Sequence, residues 1–187
     1  MALATGVFPG TAHAQWKYGW STEFFVPLGD LSEISRIGLS ADVYAGKLID
    51  RRKWAVQLNA GIHWFIPKEL AEEEIPDWVT DSEANSNGLV KLSGSFIPIR
   101  GSITRLFGRY YFSPRVGVYF PVGAFRKKAG FDPAVGIAPR LGYFFPMSRD
   151  MQFDFAFEYD YLFGDLSLQY FGVSMGILFG GQRLGRR

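Results

Sequence analysis

The chain contains no cysteine, which excludes disulfide frameworks, thiolate metal sites and cysteine nucleophiles. Histidine is nearly absent too: only His13 and His63 are available, and no nucleophile motif accompanies either, so no convincing catalytic constellation exists and none is expected. Charge of one sign is also missing. Lys and Arg number 20 against 18 Asp and Glu, a net charge of +2, so no global basic surface neutralises nucleic-acid phosphates. Finally, no stretch reaches about eighteen consecutive apolar residues, which excludes a transmembrane helix but leaves strands free to cross a membrane.

What is present favours β-structure. Aromatic residues make up 17% of the 187 residues and glycine numbers 22, whereas a helical bundle leans on Ala, Leu, Glu and Lys. From Trp16 onward, eight segments alternate in polarity with the period of two that marks strands: Trp16 to Val26, Ile37 to Gly46, Trp54 to Ile66, Leu89 to Leu106, Tyr110 to Phe120, Val135 to Phe145, Met151 to Phe163 and Leu168 to Phe179. The division is sharpest in Met151 to Phe163. Odd positions there are Met, Phe or Tyr, and even positions include Gln152, Asp154, Glu158 and Asp160. Around Ser95 to Pro98 the alternation changes phase, through either a β-bulge or a misplaced boundary. Pro98, Pro114 and Pro139 fall inside strands, where each removes a ladder donor, and are expected near bulges or strand ends.

Connections sort by length. Asp50 to Lys53, Phe107 to Arg109 and Pro146 to Asp150 are tight turns, Pro27 to Ser35, Pro67 to Gly88 and Val122 to Ala134 are longer, and Gly164-Asp165 closes a tight last hairpin. Short connections at one end and long at the other are the pattern of a membrane barrel. Three features set the apolar face outward. The opposite face is rich in Gly, Ser and Ala, as a narrow packed lumen requires. Aromatics cluster at segment ends, as in Trp16 and Trp20, Phe24-Phe25, Trp64-Phe65, Tyr110-Tyr111-Phe112, Tyr143-Phe144-Phe145 and Tyr170-Phe171, the way interfacial girdles do. The middles of the apolar faces lack charge. The fold class is therefore all-β: an eight-stranded antiparallel up-and-down transmembrane β-barrel over residues 16–180. Residues 1–15, with the small-x-small element Ala12-His13-Ala14, read as a signal-peptide remnant, and 181–187 as a short basic C-terminal tail.

Strand parity turns Lys17, Glu23, Asp42, Arg100, Arg115, Arg140, Asp154, Glu158 and Asp160 inward. The last eight form the candidate site, a lumenal charge network whose members must pair, because an isolated buried charge is expensive. Arg115 and Arg140 lie in a short internal repeat, Ser113-Pro114-Arg115-Val116-Gly117 and Ala138-Pro139-Arg140-Leu141-Gly142. Such a network reads either as a plug or as a gated polar path, and eight strands leave room for little beyond side chains. His63 reads as lumen packing. The acidic loop of 68–83 lacks the fixed glycine and alternating ligands of an EF-hand and reads as a solvated loop. Arg126-Lys127-Lys128 lies in another outer loop, placed to meet lipopolysaccharide phosphates.

With strands such as Ser95-Phe96-Ile97-Pro98-Ile99-Arg100-Gly101-Ser102 and the Gly-rich ending Phe171-Gly172-Val173-Ser174-Met175-Gly176-Ile177-Leu178-Phe179, the chain resembles the small OmpA/OmpX-like, porin-family outer-membrane barrels of Gram-negative bacteria. The resemblance implies an outer-membrane location with both termini periplasmic. It also implies contact with outer-membrane lipid and lipopolysaccharide, no nucleic acid and no cofactor, and a structural or interaction role, as a subunit of a larger envelope complex among others. The alternatives are a narrow conduit for small or hydrophobic molecules and a lipid-modifying enzyme. A soluble lipocalin-type barrel would bury the apolar face instead. The topology has a direct test: protease added to intact cells should cut within Pro67 to Gly88 and spare Asp50 to Lys53, and the opposite pattern reverses the orientation.

Overall fold

The computed structural model describes residues 16–49, 53–71, 75–76, 89–90, 94–127, 131–148, 150–164 and 168–180. The signal-like segment with His13, the C-terminal tail, most of the acidic loop and Lys128 lie outside the described residues.

Eight long strands close into one antiparallel barrel: β1 (Trp16–Gly29), β2 (Ser35–Ile49), β3 (Trp54–Pro67), β6 (Gly94–Phe107), β7 (Tyr110–Gly123), β8 (Ala134–Pro146), β9 (Met151–Phe163) and β10 (Leu168–Phe179). Each pairs with its neighbours in sequence, and β10 returns to β1 from Tyr18↔Phe179 to Gly29↔Leu168. Closure leaves the barrel no free edge, which a bilayer demands because it offers nothing to an unpaired N–H or C=O. The predicted fourth strand is shorter at its start than the sequence suggested. Leu89–Val90 is a separate strand, β5, paired with β4 (Leu70–Ala71) in a small ribbon within the β3–β6 connection. The first long connection also shrinks, since β1 continues to Gly29 and a single helical turn, α1 (Leu31–Ile34), leads into β2. A second turn of helix, α2 (Ala124–Lys127), follows β7. The β6–β7 hairpin is made by Gly108 and Arg109, and the φ of 70° at Gly108 is the left-handed value that a tight turn asks of glycine.

The prolines do not act as expected. The alternation of β6 stays in phase through Ser95 to Pro98, with Phe96, Pro98 and Arg100 all facing inward. The β3–β6 register is likewise the same on both sides of Pro98, where Ala60↔Ile99 and His63↔Phe96 flank a gap in the ladder. Similar gaps without slippage occur beside Pro114 between β6 and β7 and beside Pro139 between β8 and β9. Each proline thus removes a hydrogen bond locally, and the neighbouring pairs hold the alignment. A register shift lies elsewhere, between Ser35 and Ile37 where β2 meets β3.

The outer surface is that of a membrane protein. Val43, Leu58, Ile99, Val116 and Phe157 stand exposed near strand middles, and Trp16, Tyr18, Phe107, Tyr110, Trp64 and Phe163 stand exposed near the ends. Among the described outward positions of the barrel strands, charge occurs only at Arg36, Lys47 and Arg105, all within a few residues of a strand end. Arg105 lies over the Trp54 ring, 4.6 Å from its centroid, at the short-turn end. An apolar belt bounded by aromatics is the surface hydrocarbon requires.

The adjacent aromatics read as girdles in the sequence are in fact divided between two environments. Phe24 is 58% exposed and Phe25 1%; Trp64 is 43% exposed and Phe65 3%. Phe171 and Tyr170, Tyr110 and Tyr111, and Phe145 and Phe144 split in the same way. Successive strand residues face opposite sides, so each doublet gives one ring to the girdle and one to the lumen. Phe157→Arg, at the middle of β9 on the lipid side, should lower bilayer stability by about 2–4 kcal/mol. Urea titration of the barrel refolded in vesicles measures this, and an unchanged midpoint would mean that the face does not meet lipid.

Candidate functional site: a charged belt inside the barrel

The barrel interior is filled in three layers. Toward the short turns, Tyr44, Leu48, Ala55, Leu106, Tyr111, Phe144, Ala156 and Leu178 pack together. Toward the long loops lies a larger apolar cluster in which Phe25, Phe65, Phe96, Tyr119 and Tyr170 from the strands meet Leu31 and Ile34 of α1, Phe125 of α2 and Phe131. Between the two sits the belt of charges.

All eight residues of the predicted network are buried in this belt or at its margins. Glu158 on β9 is its hub. Its carboxylate accepts from Arg100 Nη1 at 2.7 Å, from Arg115 Nη1 at 2.9 Å and from Arg140 Nη1 at 3.0 Å. Arg100 also reaches Asp160 Oδ1 at 3.1 Å and, past β3 to β2, Asp42 Oδ1 at 2.8 Å. Arg140 reaches Asp154 Oδ2 at 2.8 Å. Register explains one of these links directly, since Arg140 and Glu158 are partners in the β8–β9 ladder. The rest depend on the order and register of the strands in the wall: Arg140–Asp154 again joins the adjacent β8 and β9, whereas β8 lies between Arg115 and Glu158, β3 between Arg100 and Asp42, and β7 and β8 between Arg100 and Glu158.

Glu23 is the exception. It points inward and is buried, yet its Oε1 has no hydrogen-bond partner. Lys17, the remaining inward cation from the sequence reading, lies near the short turns and donates to the Gly180 carbonyl.

Several polar residues join the belt that the sequence reading had not assigned to it. Arg140 Nε donates to the Tyr111 hydroxyl at 2.7 Å, which in turn donates to Asp154 Oδ1 at 2.7 Å. The Tyr119 hydroxyl donates to Asp160 Oδ1 at 2.5 Å, and Ser40 Oγ to Asp42 Oδ2 at 2.9 Å. The signal was parity: these residues share the inward register of their strands, but a tyrosine within an aromatic run does not announce which way it faces. His63 is fully buried, with Nδ1 2.7 Å from the Tyr170 hydroxyl and Nε2 3.5 Å from Asp42 Oδ2. Phe25, Tyr119 and Tyr170 pack around its ring. The layer at the long-loop end is the larger omission. Its strand residues sit in the same inward register as the charges, two residues from Glu23 at Phe25 and four from Arg100 and Arg115 at Phe96 and Tyr119.

That layer is tied down locally. The Lys68 backbone N–H donates to the Ile34 carbonyl at 2.9 Å, Lys68 Nζ donates to the Ser32 carbonyl, and the Phe131 N–H donates to the Phe125 carbonyl at 2.9 Å. Gly94 makes room for it, because a Cβ there would lie 2.0 Å from the Phe125 ring.

No protein-family model matches the sequence, and no curated protein is found as a relative. Solved structures do match. Neisserial surface protein A aligns with a TM-score of 0.61 at 13% identity, covering 88% of this chain and 96% of that one. The chain has the fold of a small outer-membrane β-barrel of the OmpA/OmpX type. The Yersinia pestis protein Ail, in a phospholipid bilayer nanodisc, aligns at a TM-score of 0.49 and 10% identity over 87% of this chain and 99% of its own. AlkL in lipid bilayers gives 0.49 and 12% over 100% and 99%.

In this barrel, cutting one arm of the belt strands its partners. Arg140→Met leaves Asp154 and one side of Glu158 without a counter-charge and should cost about 3–5 kcal/mol. Because Glu158 keeps Arg100 and Arg115, the compensating change is Asp154→Asn rather than Glu158→Gln. Urea unfolding of the single and double variants should show partial recovery in the double. Additive losses would mean that the two groups do not interact.

Proposed function

We propose that the chain is a bacterial outer-membrane barrel with a structural or interaction role in the envelope, its lumen closed to solutes by the charged belt and the layer of side chains above it. The observation that carries this reading is the way the described residues fill the interior in three layers. Two cavities toward the short-turn end have volumes of about 10 Å³ each, room for about one water apiece. Above them, Arg100, Arg115 and Arg140 bind Glu158, and the apolar cluster follows. A polar path would have to break both.

In this reading the short-turn end, with both chain ends, faces the periplasm, and the long-loop end faces outward. Arg126, exposed on α2, then stands near the outer leaflet, where lipopolysaccharide phosphates lie. The protein is not an enzyme in this proposal: His63, around which lipid chemistry would have to be built, is enclosed in the lumen among Phe25, Tyr119 and Tyr170 and faces no lipid. In this reading a second envelope protein is the proposed partner, met through the barrel wall or the outer connections.

Planar-bilayer recording tests the closed lumen. The wild-type barrel should show no stable conductance, and Phe125→Ala, which thins the upper layer, should show none either, because the belt remains. A stable conductance in the wild type would replace this reading with that of a narrow conduit.

A further inference from the structure

The charged belt does not balance. Arg100, Arg115 and Arg140 are three cations facing five buried carboxylates, those of Glu23, Asp42, Asp154, Glu158 and Asp160. His63 approaches Asp42, and Lys17 donates to Gly180 at the short-turn end. Two negative charges of the belt are therefore unmatched by its arginines, in an interior where an uncompensated carboxylate is costly.

The surplus is concentrated at one place. Glu23, Glu158 and Asp160 each present a carboxylate oxygen, and the three oxygens lie within 4.8 Å of one another. Arg100 answers Glu158 and Asp160 from one side, and Arg115 and Arg140 also hold Glu158, so the unanswered oxygens are those of Glu23 and Asp160. Glu23 Oε1 and Asp160 Oδ2 are buried with no hydrogen-bond partner, although Glu23 is only 2% exposed and Asp160 wholly enclosed. Two further features of the wall point to this spot. Gly172, the register partner of Glu158, makes the niche for the Glu23 carboxylate, because a Cβ there would lie 2.0 Å from Glu23 Oε1. Ser174, the register partner of Glu23 on β10, is fully buried and its hydroxyl likewise has no partner.

We propose that the lumen holds one hard divalent cation of the Ca²⁺ class between Glu23, Asp160 and Glu158. Oxygens bound to one such ion at about 2.3–2.6 Å stand up to about 5 Å apart across it, so the triad lies within its reach, with Glu23 Oε1 and Asp160 Oδ2 open to bind it and Glu158 already held by the three arginines. A charge of two matches the excess of the five carboxylates over the three arginines. The ligands are all oxygen, which suits a hard ion and not a thiolate- or imidazole-seeking metal. The ion enters as the barrel closes, because the apolar layer covers the site from the long-loop end afterwards. It makes the belt a cation-dependent clasp between β1 and β9, strands that are separated in the wall by β10.

The test uses the barrel refolded into phospholipid vesicles in Ca²⁺ or in EGTA, followed by gel filtration in metal-free buffer. Elemental analysis by mass spectrometry should find about one Ca²⁺ per chain in the first preparation, and its thermal midpoint should exceed that of the second. Glu23→Gln should fold, retain no Ca²⁺ and melt at one temperature in both buffers. Gly172→Ala, which closes the niche, should lower retention. Wild-type barrel that retains no Ca²⁺ and melts identically in both buffers overturns the proposal, whatever the variants do. An infrared band of a protonated carboxyl in the Ca²⁺ preparation, lost in Glu23→Gln, overturns it too by showing that a proton supplies the missing charge.

Discussion

The grip of three arginines on Glu158 is the interaction on which the interior depends. Arg100, Arg115, Arg140 and Glu158 come from the consecutive strands β6, β7, β8 and β9, and Asp42 reaches in from β2, past β3. These charges can stay in a low-dielectric lumen only if every strand holds its register. A slip of one residue would turn an arginine into lipid and leave its carboxylates unmatched. The belt therefore acts less as a source of net stability, since desolvation consumes much of the Coulombic gain, than as a constraint that selects a single alignment of the barrel.

The same constraint explains why the three prolines are harmless. Pro98, Pro114 and Pro139 each interrupt a ladder, yet the pairs on either side keep their alignment. Pro98 is next but one to Arg100, Pro114 adjoins Arg115 and Pro139 adjoins Arg140. The lost hydrogen bonds thus fall where ion pairs cross the lumen and fix the strands by another route. Proline in a strand is costly when the ladder alone sets the register, and here it does not.

The wall separates two apolar environments by a single residue step. Lipid takes one ring of each aromatic doublet and the upper lumen takes the other, so Phe24 and Phe25 differ completely in surroundings while being chemically identical. The upper layer shields the belt from the long-loop end, which keeps its ion pairs dry and strong. It also places α1 and α2 as structural parts of the barrel, because Leu31, Ile34 and Phe125 complete that layer.

Strand number, closure, the outward apolar face and the inward direction of the eight charged residues were legible in the sequence. All of these follow from a period of two and from the cost of exposing charge to hydrocarbon, which are properties of single strands. The split of doublets such as Trp64-Phe65 was legible in principle by the same parity, but grouping aromatics by position along the chain hid it. The pairing of Arg100 with Asp42, the recruitment of Tyr111 and Tyr119, the apolar layer that α1 and α2 complete, and the unmatched Glu23 were decided only by the tertiary structure. Each depends on which side chains meet across the lumen, and that is set by closure and by the register of all eight strands together, which local periodicity does not encode.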